Sequence, residues 1–364
     1  MIVRQVKAAD VRNMTFVDWQ PGERVNVIFG QNAQGKTNLL EGLWLFTGGK
    51  SFRGAKDSEL VRLGAREARL QCRFDAEGRE QTAEIRIEKR RRATLNGVAL
   101  SSPTKLTGLF GAVVFSPDHL MMIKGSPELR RRFIDAALCQ VSPSYIQTYS
   151  EYMHILTQRN ALLKDWYRFA DDGQLEAWNA RLTEAATDVV LARCRYCDLL
   201  REKAIAVYDG LSGGKERFSI GYETEKGYAA MTREQITAYW AQALEQSRRA
   251  DISAGFSTVG PHREDLTVEI SDLSARHFGS QGQQRSAVLA LKMAEAAVLR
   301  ERTGEQPIIL LDDVMSELDE SRQDYLMNHL DGWQVFITCC DPSAIGRLSD
   351  GSVFKMENGS LQQV

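Results

Sequence analysis

Gly30-Gln31-Asn32-Ala33-Gln34-Gly35-Lys36-Thr37 fits G-x-x-x-x-G-K-[ST], the spacing of a phosphate-binding loop. Glycines at 30 and 35 let backbone N–H groups curl around phosphate oxygens, where a Cβ would obstruct the approach. Lys36 is expected to reach the β- and γ-phosphates of a nucleotide, and the Thr37 hydroxyl to ligate Mg2+. A second chemical element lies near the other end of the chain, where Pro307-Ile308-Ile309-Leu310-Leu311 leads into Asp312-Asp313. The apolar run reads as a strand with Asp312 at its carboxyl end, where α/β sheets place ligands. Asp312 fits the Mg2+-holding acid of a Walker B element, and Asp313 the residue that orients or deprotonates an attacking water. Strand ends often carry acids that merely open a turn. The P-loop, and Ser316-Glu317-Leu318-Asp319 directly behind, favour the catalytic reading. One nucleotide site must therefore be assembled from both ends of the sequence.

The elements that position these residues follow from pattern. Arg24 to Phe29 reads as a short buried strand and Lys36 to Phe46 as an apolar-faced helix whose positive dipole end meets the phosphates. Residues 1–115 read as strands around that helix, with alternation over Glu84-Ile85-Arg86-Ile87 and a hairpin turn at Asn96-Gly97. Residues 116–250 read as mainly helical: Trp178, Leu182, Ala185, Val189, Ala192, Tyr196 and Leu199 form an apolar stripe, and Thr232 to Arg249 a further helix. Residues 251–364 alternate strands with one long helix. Apolar, β-branched runs in both terminal thirds predict one α/β sheet built from both ends, with the helical middle inserted as an arm or lid.

Composition narrows the class. A chain of 364 residues is long enough for two or three lobes, and 43% hydrophobic content suits globular folding. No run approaches the ~18 apolar residues of a membrane helix, and Met1-Ile2-Val3-Arg4 lacks the order of a signal peptide. Six cysteines without framework spacing suit a reducing cytoplasm. Cys194-x-x-Cys197 lies inside a helical pattern without the second pair that a zinc site needs. A net charge of −2 excludes a uniformly basic nucleic-acid coat, so any such contact must be local.

Several further motifs run in order along the chain: Arg12-Asn13, Ser51-Phe52-Arg53, Ser116-Pro117-Asp118, and Arg130-Arg131-Arg132-Phe133-Ile134-Asp135. Gly260-Pro261-His262-Arg263-Glu264-Asp265-Leu266 and Gly279-Ser280-Gln281-Gly282-Gln283-Gln284-Arg285 follow before the doubled acid. Together with the P-loop and the doubled acid they resemble the ABC-type ATPase heads of SMC proteins, and within them the RecF-like family of bacterial recombinational repair. The resemblance implies an α/β, ABC-type P-loop ATPase head built from both termini, with an inserted, mainly helical arm. It implies ATP and Mg2+ as cofactors and sets Arg12, Asn13 and Asn38 beside Gly30–Thr37 in the nucleotide site. In such heads the signature of one protomer closes over the nucleotide of another. Ser280 and the amides of Gly282 and Gln283 are thereby expected to complete a γ-phosphate site in an ATP-dependent homodimer. The family likeness further implies DNA at gaps and junctions as substrate, RecO and RecR as partners, RecA loading as outcome, a place in the SOS response, and slow, DNA-stimulated hydrolysis.

Leu211-Ser212-Gly213-Gly214 spells an ABC signature more literally than Ser280 does. A signature must open a helix, because its serine and helix N-terminus point at a phosphate. Leu211–Gly214 instead precedes Phe218-Ser219-Ile220-Gly221-Tyr222, an alternating strand pattern, whereas Gln283 to Leu299 form an apolar-faced helix leading into the Walker B strand. Ser280 is the better candidate. Departures from the wider pattern suggest a slow switch: Asp313 stands where many ABC ATPases have Glu, and Thr338 where they often carry a histidine. Val11 replaces an aromatic before Arg12, and His119 an acid after Asp118.

Two basic clusters are candidates for phosphate contact. Lys89-Arg90-Arg91-Arg92 lies beside the hairpin, where charge that guards a strand edge is an equal reading. Arg130-Arg131-Arg132 opens a helix and pairs either with acids or with phosphate. No base-reading module is visible, so DNA contact is expected to be backbone-directed. A transporter ATPase expects a literal signature close before the doubled acid and a shorter insertion. A full SMC clamp needs hundreds of heptad residues.

Overall fold

A six-stranded sheet forms the centre of the head, in the order Ser360–Gln363, Ser352–Glu357, Val25–Phe29, Val335–Cys339, Ile308–Asp312, Ala112–Phe115. All neighbours are parallel except the terminal hairpin. Both terminal thirds contribute strands. Ile308–Asp312 and Val335–Cys339 are buried at every position, as strands covered on both faces require. Their side chains alternate. Ile308 and Leu310 join the core shared with the P-loop helix, Lys36–Trp44, while Ile309 and Leu311 face the opposite one. The computed structural model describes residues 1–169, 171–223, 226–341 and 351–364. Among these, no helix is long and apolar enough to cross a membrane.

Behind the P-loop helix lies a second, antiparallel sheet in the order Met14–Trp19, Ile2–Val11, Ala68–Ala76, Arg79–Ile87, Arg91–Leu95, Val98–Ala99. Its strands alternate buried and exposed residues, the pattern of a sheet with one face on the core and one in water. Asn96 (φ 50°) and Gly97 (φ 79°) both take left-handed backbone, so the expected hairpin turn forms there.

The arm is helical: Pro127–Val141, Pro143–Lys164, Asp172–Ser212 and Arg233–Ala254. The stripe from Trp178 to Leu199 lies on Asp172–Ser212, with Leu182, Ala185, Val189 and Tyr196 buried and the others partly so. A position between 250 and 251 falls inside Arg233–Ala254, and the strand Leu266–Ile270 pairs with Phe218–Tyr222. The chain thus returns from the arm to the head later than residue 250. The helix Gln281–Thr303 joins the two cores, with Ala287, Leu291 and Ala294 facing the arm and Leu289, Met293 and Ala296 the parallel sheet.

A buried polar cluster locks the arm to the Gly260–Leu266 segment. Arg193 makes two 2.9 Å bonds to Asp135 and donates to the Tyr222 hydroxyl and the Pro261 carbonyl. Glu264 accepts from Tyr222, Tyr228 and Lys226. Arg130 is nearly inaccessible, bidentate to Asp265 at 2.7 Å and bonded to the carbonyls of Met122, Ile123 and Gly125. Arg131 donates to the Glu264 carbonyl at 2.6 Å, and Arg132 to Glu128. Of the two readings of this arginine run, pairing with acids and carbonyls is the one observed. Burying these charges is tolerable because each finds partners.

Candidate nucleotide site and signature

The P-loop turns between Val25–Phe29 and Lys36–Trp44 in the shape its glycines permit. Gly30 (φ 156°) passes so close to the Met356 carbonyl that a Cβ would lie 2.3 Å from its oxygen, and Gly35 (φ 117°) packs against Asn13. The Lys36 ammonium curls back to the carbonyls of Gly30 (2.7 Å) and Gln31 (3.1 Å). Asn13 donates to the carbonyls of Ala33 and Gln34 and accepts from Asn38, so it braces the loop from outside. Gln34 is held by the C-terminal hairpin, through its side chain to Asn358 N–H and its carbonyl to Gly359 N–H. Asn32 accepts from the Cys340 thiol at 3.2 Å.

Arg12 is placed differently from Asn13. Its guanidinium is bidentate to Glu41 (2.9 and 3.0 Å), which sits on the P-loop helix, and it also donates to the Glu59 carbonyl. Glu41 is buried and accepts from Ser51 as well. Sequence reading passed over Glu41, although an acid on the inward face of an apolar helix is a signal that it has a cationic partner.

Thr37 and Asp312, 275 residues apart in sequence, meet in a 2.8 Å hydrogen bond. The parallel register sets Thr338 opposite Asp312, and its hydroxyl donates to the same carboxylate oxygen at 2.9 Å while accepting from Asp313 N–H at 2.9 Å. Burial pushes the Asp312 carboxyl above its ordinary range, and the two hydroxyls pull it back down. Asp313 takes left-handed backbone at φ 51°, uncommon for a residue with a Cβ, and its carbonyl accepts from Ser316. A hydroxyl and a carboxylate oxygen converging beside a phosphate loop are hard donors suited to Mg2+.

Ser280 is the N-cap of Gln281–Thr303 in a reciprocal capping box: its hydroxyl accepts from Gln283 N–H (3.2 Å), and the Gln283 side chain accepts from Ser280 N–H (2.7 Å). Gln283 also donates to Glu216 at 2.7 Å, and the Gly282 carbonyl accepts from Arg322 at 3.2 Å. Among the described residues, no hydrogen bond joins Ser280, Gly282 or Gln283 to Gly30–Thr37 of the same chain. Leu211–Gly214, by contrast, is a helix C-terminus. Ser212 ends Asp172–Ser212, and Gly213 caps it in left-handed backbone. Cys194 and Cys197 lie within the same helix, Cys197 against the arm core.

The same arrangement of sheets recurs in known proteins. The Smc head domain of Pyrococcus furiosus superposes with a TM-score of 0.56 at 15% identity, over 100% of this chain and 96% of that one. The fold is thus that of an SMC-type ATPase head. The sequence matches the RecF/RecN/SMC N terminal domain family over residues 2–360. The DNA replication and repair protein RecF of Clostridium acetobutylicum is 34% identical over the whole of both chains, and that of Ruminiclostridium cellulolyticum 36% over 99% of each. A solved structure of the recombination mediator protein RecF-ATPrS of the RecFOR pathway superposes with a TM-score of 0.92 at 32% identity, covering 100% of this chain and 98% of that one. A second, RecF-ATP, gives 0.91. The chain belongs to the RecF family of DNA replication and repair proteins.

Proposed function

We propose that this chain is an ATP-controlled DNA-binding switch of recombinational repair and replication restart. Two copies close head to tail over two ATP molecules, hold DNA near single-strand gaps, and release it after slow hydrolysis. The observation that carries the reading is a half-built site. Thr37, Asp312 and the P-loop are assembled within one chain, while the Ser280 cap has no bond to them. ATP presents a γ-phosphate to a second copy's Ser280, Gly282 and Gln283, and ADP does not, so nucleotide state shifts the monomer–dimer equilibrium.

Within one protomer, Lys36 exchanges its two loop carbonyls for β- and γ-phosphate oxygens, and the P-loop amides close on the β-phosphate. Thr37 and Asp312 are the residues that would hold Mg2+, which would supply charge neutralisation to the phosphates. Asp313, whose backbone N–H is hydrogen-bonded to the Thr338 hydroxyl, orients or deprotonates water; as an aspartate it reaches one methylene less far than a glutamate, which keeps turnover low. Family membership supports RecO and RecR as partners, RecA loading as outcome, DNA stimulation of the ATPase, and work in the cytoplasm. Sedimentation velocity tests the switch: ATP is expected to double the mass and ADP to leave it unchanged. Identical mass with ATP, ADP and no nucleotide rejects it.

A further inference from the structure

The antiparallel sheet aligns on its outer face residues that sequence keeps far apart. Its register sets Ala9 opposite Arg69, Arg69 opposite Arg86, and Arg86 opposite Arg92. Three arginines thus stand side by side on three neighbouring strands, all exposed, while the alternate row Leu70, Ile85 and Ala93 is buried. Like charges directly opposite across strands are destabilising. Compensation is partial: Arg69 pairs with Glu67, Arg86 comes only within 3.8 Å of Glu84, and among the described residues Arg92 makes no ion pair or side-chain hydrogen bond.

Edge protection can account for Arg92, whose strand is paired on one side only at that position, but not for Arg69 and Arg86, because Ala68–Ala76 and Arg79–Ile87 are interior strands. A shallow groove of about 180 Å³ runs beside it, lined by Lys7, Arg69 and Arg86 among others. Exposed Lys89 and Arg90 lie in the adjoining turn. Arg91, the remaining member of that basic run, is withdrawn: it faces the core side and bonds to Asp57 and the Gly49 carbonyl.

We infer that the Arg69–Arg86–Arg92 row, with the Lys89-Arg90 turn, is a contact surface for the phosphate backbone of DNA. Neighbouring strands set the backbones of the three arginines at steps of about 4.8 Å, and the length of the side chains lets the guanidinium groups spread over consecutive phosphates as bidentate donors. A polyanion relieves the mutual repulsion that the protein alone leaves in place. The surface reads no bases, so binding is electrostatic and salt-dependent.

This inference rests on the proposed DNA-binding function, and the test separates the two. Binding of a labelled duplex is measured by anisotropy, with ATP, across a salt series for the wild-type protein and Arg86→Ala/Arg92→Ala. A variant with two exposed arginines removed elsewhere, Arg249→Ala/Arg302→Ala, serves as charge control. The double row variant is expected to bind about tenfold more weakly and to lower the slope of log K against log salt by about 2. It is expected to melt no lower than wild type, since it loses a repulsion. The charge control keeps affinity and slope. If wild type binds duplex and the row variant binds it equally with the same slope, the row is not the surface, and the DNA-binding reading survives. Absence of wild-type binding at low salt overturns both. A preference of the row for polyglutamate over duplex overturns the inference in favour of an acidic protein partner.

Discussion

Thr338 serves both acids of the Walker B pair at once. Its hydroxyl donates a hydrogen bond to the Asp312 carboxylate and accepts one from the Asp313 N–H, and it is fully buried. Where related ATPases use a histidine at this end of the strand, this chain uses a short side chain that fixes the acids to each other. Thr338→Val keeps the shape, but orphans the Asp313 N–H and removes a donor from a buried carboxylate. It is expected to destabilise by about 1–3 kcal/mol, seen as a lowered melting temperature, while Thr338→Ser stays near wild type. Equal melting of Thr338→Val and wild type rejects the bridging role. The sequence singled out Thr37 and Asp312, which the fold joins in one hydrogen bond, because strand, loop and helix signals around them are strong. It gave no hint of the hydroxyl bridge, since that depends on the Asp312–Thr338 register between strands whose pairing no local pattern specifies.

At the scale of elements, the helix Gln281–Thr303 connects two cores, and one hydrogen-bonded path runs from the arm to its N-terminus. Tyr208, on Asp172–Ser212 and stacked on Phe218, donates to one oxygen of Glu216 at 2.6 Å; the other oxygen accepts from Gln283 at 2.7 Å. Gln283 is thereby held in the rotamer that caps Ser280. A shift of the long arm helix must move Glu216 or break this path, so arm position is coupled to the residues proposed to meet a partner's γ-phosphate. Glu216→Ala is expected to raise the ATP concentration for half-maximal dimerisation about tenfold, with ATP binding to the monomer unchanged. Glu216→Gln keeps both contacts, because its amide oxygen accepts from Gln283 and its NH2 donates to the tyrosine oxygen. ATP-titrated sedimentation reads the result, and an unchanged midpoint in Glu216→Ala excludes the coupling. Periodicity made the arm's helices legible, and helix chemistry separated Ser280 from Ser212. The buried Arg193 within the apolar stripe was not legible: its partners Asp135 and Tyr222 come from other elements, and a charge inside a stripe looks locally like an error.

For the whole molecule, the proposed switch makes each nucleotide site composite. Thr37 and Asp312 meet beside the P-loop with no bond to the Ser280 cap, and the proposed head-to-tail closure of two identical chains would give two equivalent sites, each drawing one half from either chain. Lys36→Ala removes the phosphate-binding half of a protomer, and Ser280→Arg blocks the half it offers to its partner. Each variant alone is expected to be inactive, since every site in its dimer carries the defect. Mixed, they form heterodimers in which the intact P-loop of one chain faces the intact Ser280 of the other. Random pairing makes half of the dimers mixed, with one of two sites whole, so turnover is expected to return to about a quarter of wild type. A self-contained site predicts the opposite: Lys36→Ala stays dead, Ser280→Arg stays active, and mixing adds nothing. Steady-state phosphate release from the two variants, separately and together, distinguishes these outcomes. Absence of recovery in the mixture, with both variants folded and Ser280→Arg still binding ATP, rejects the head-to-tail arrangement.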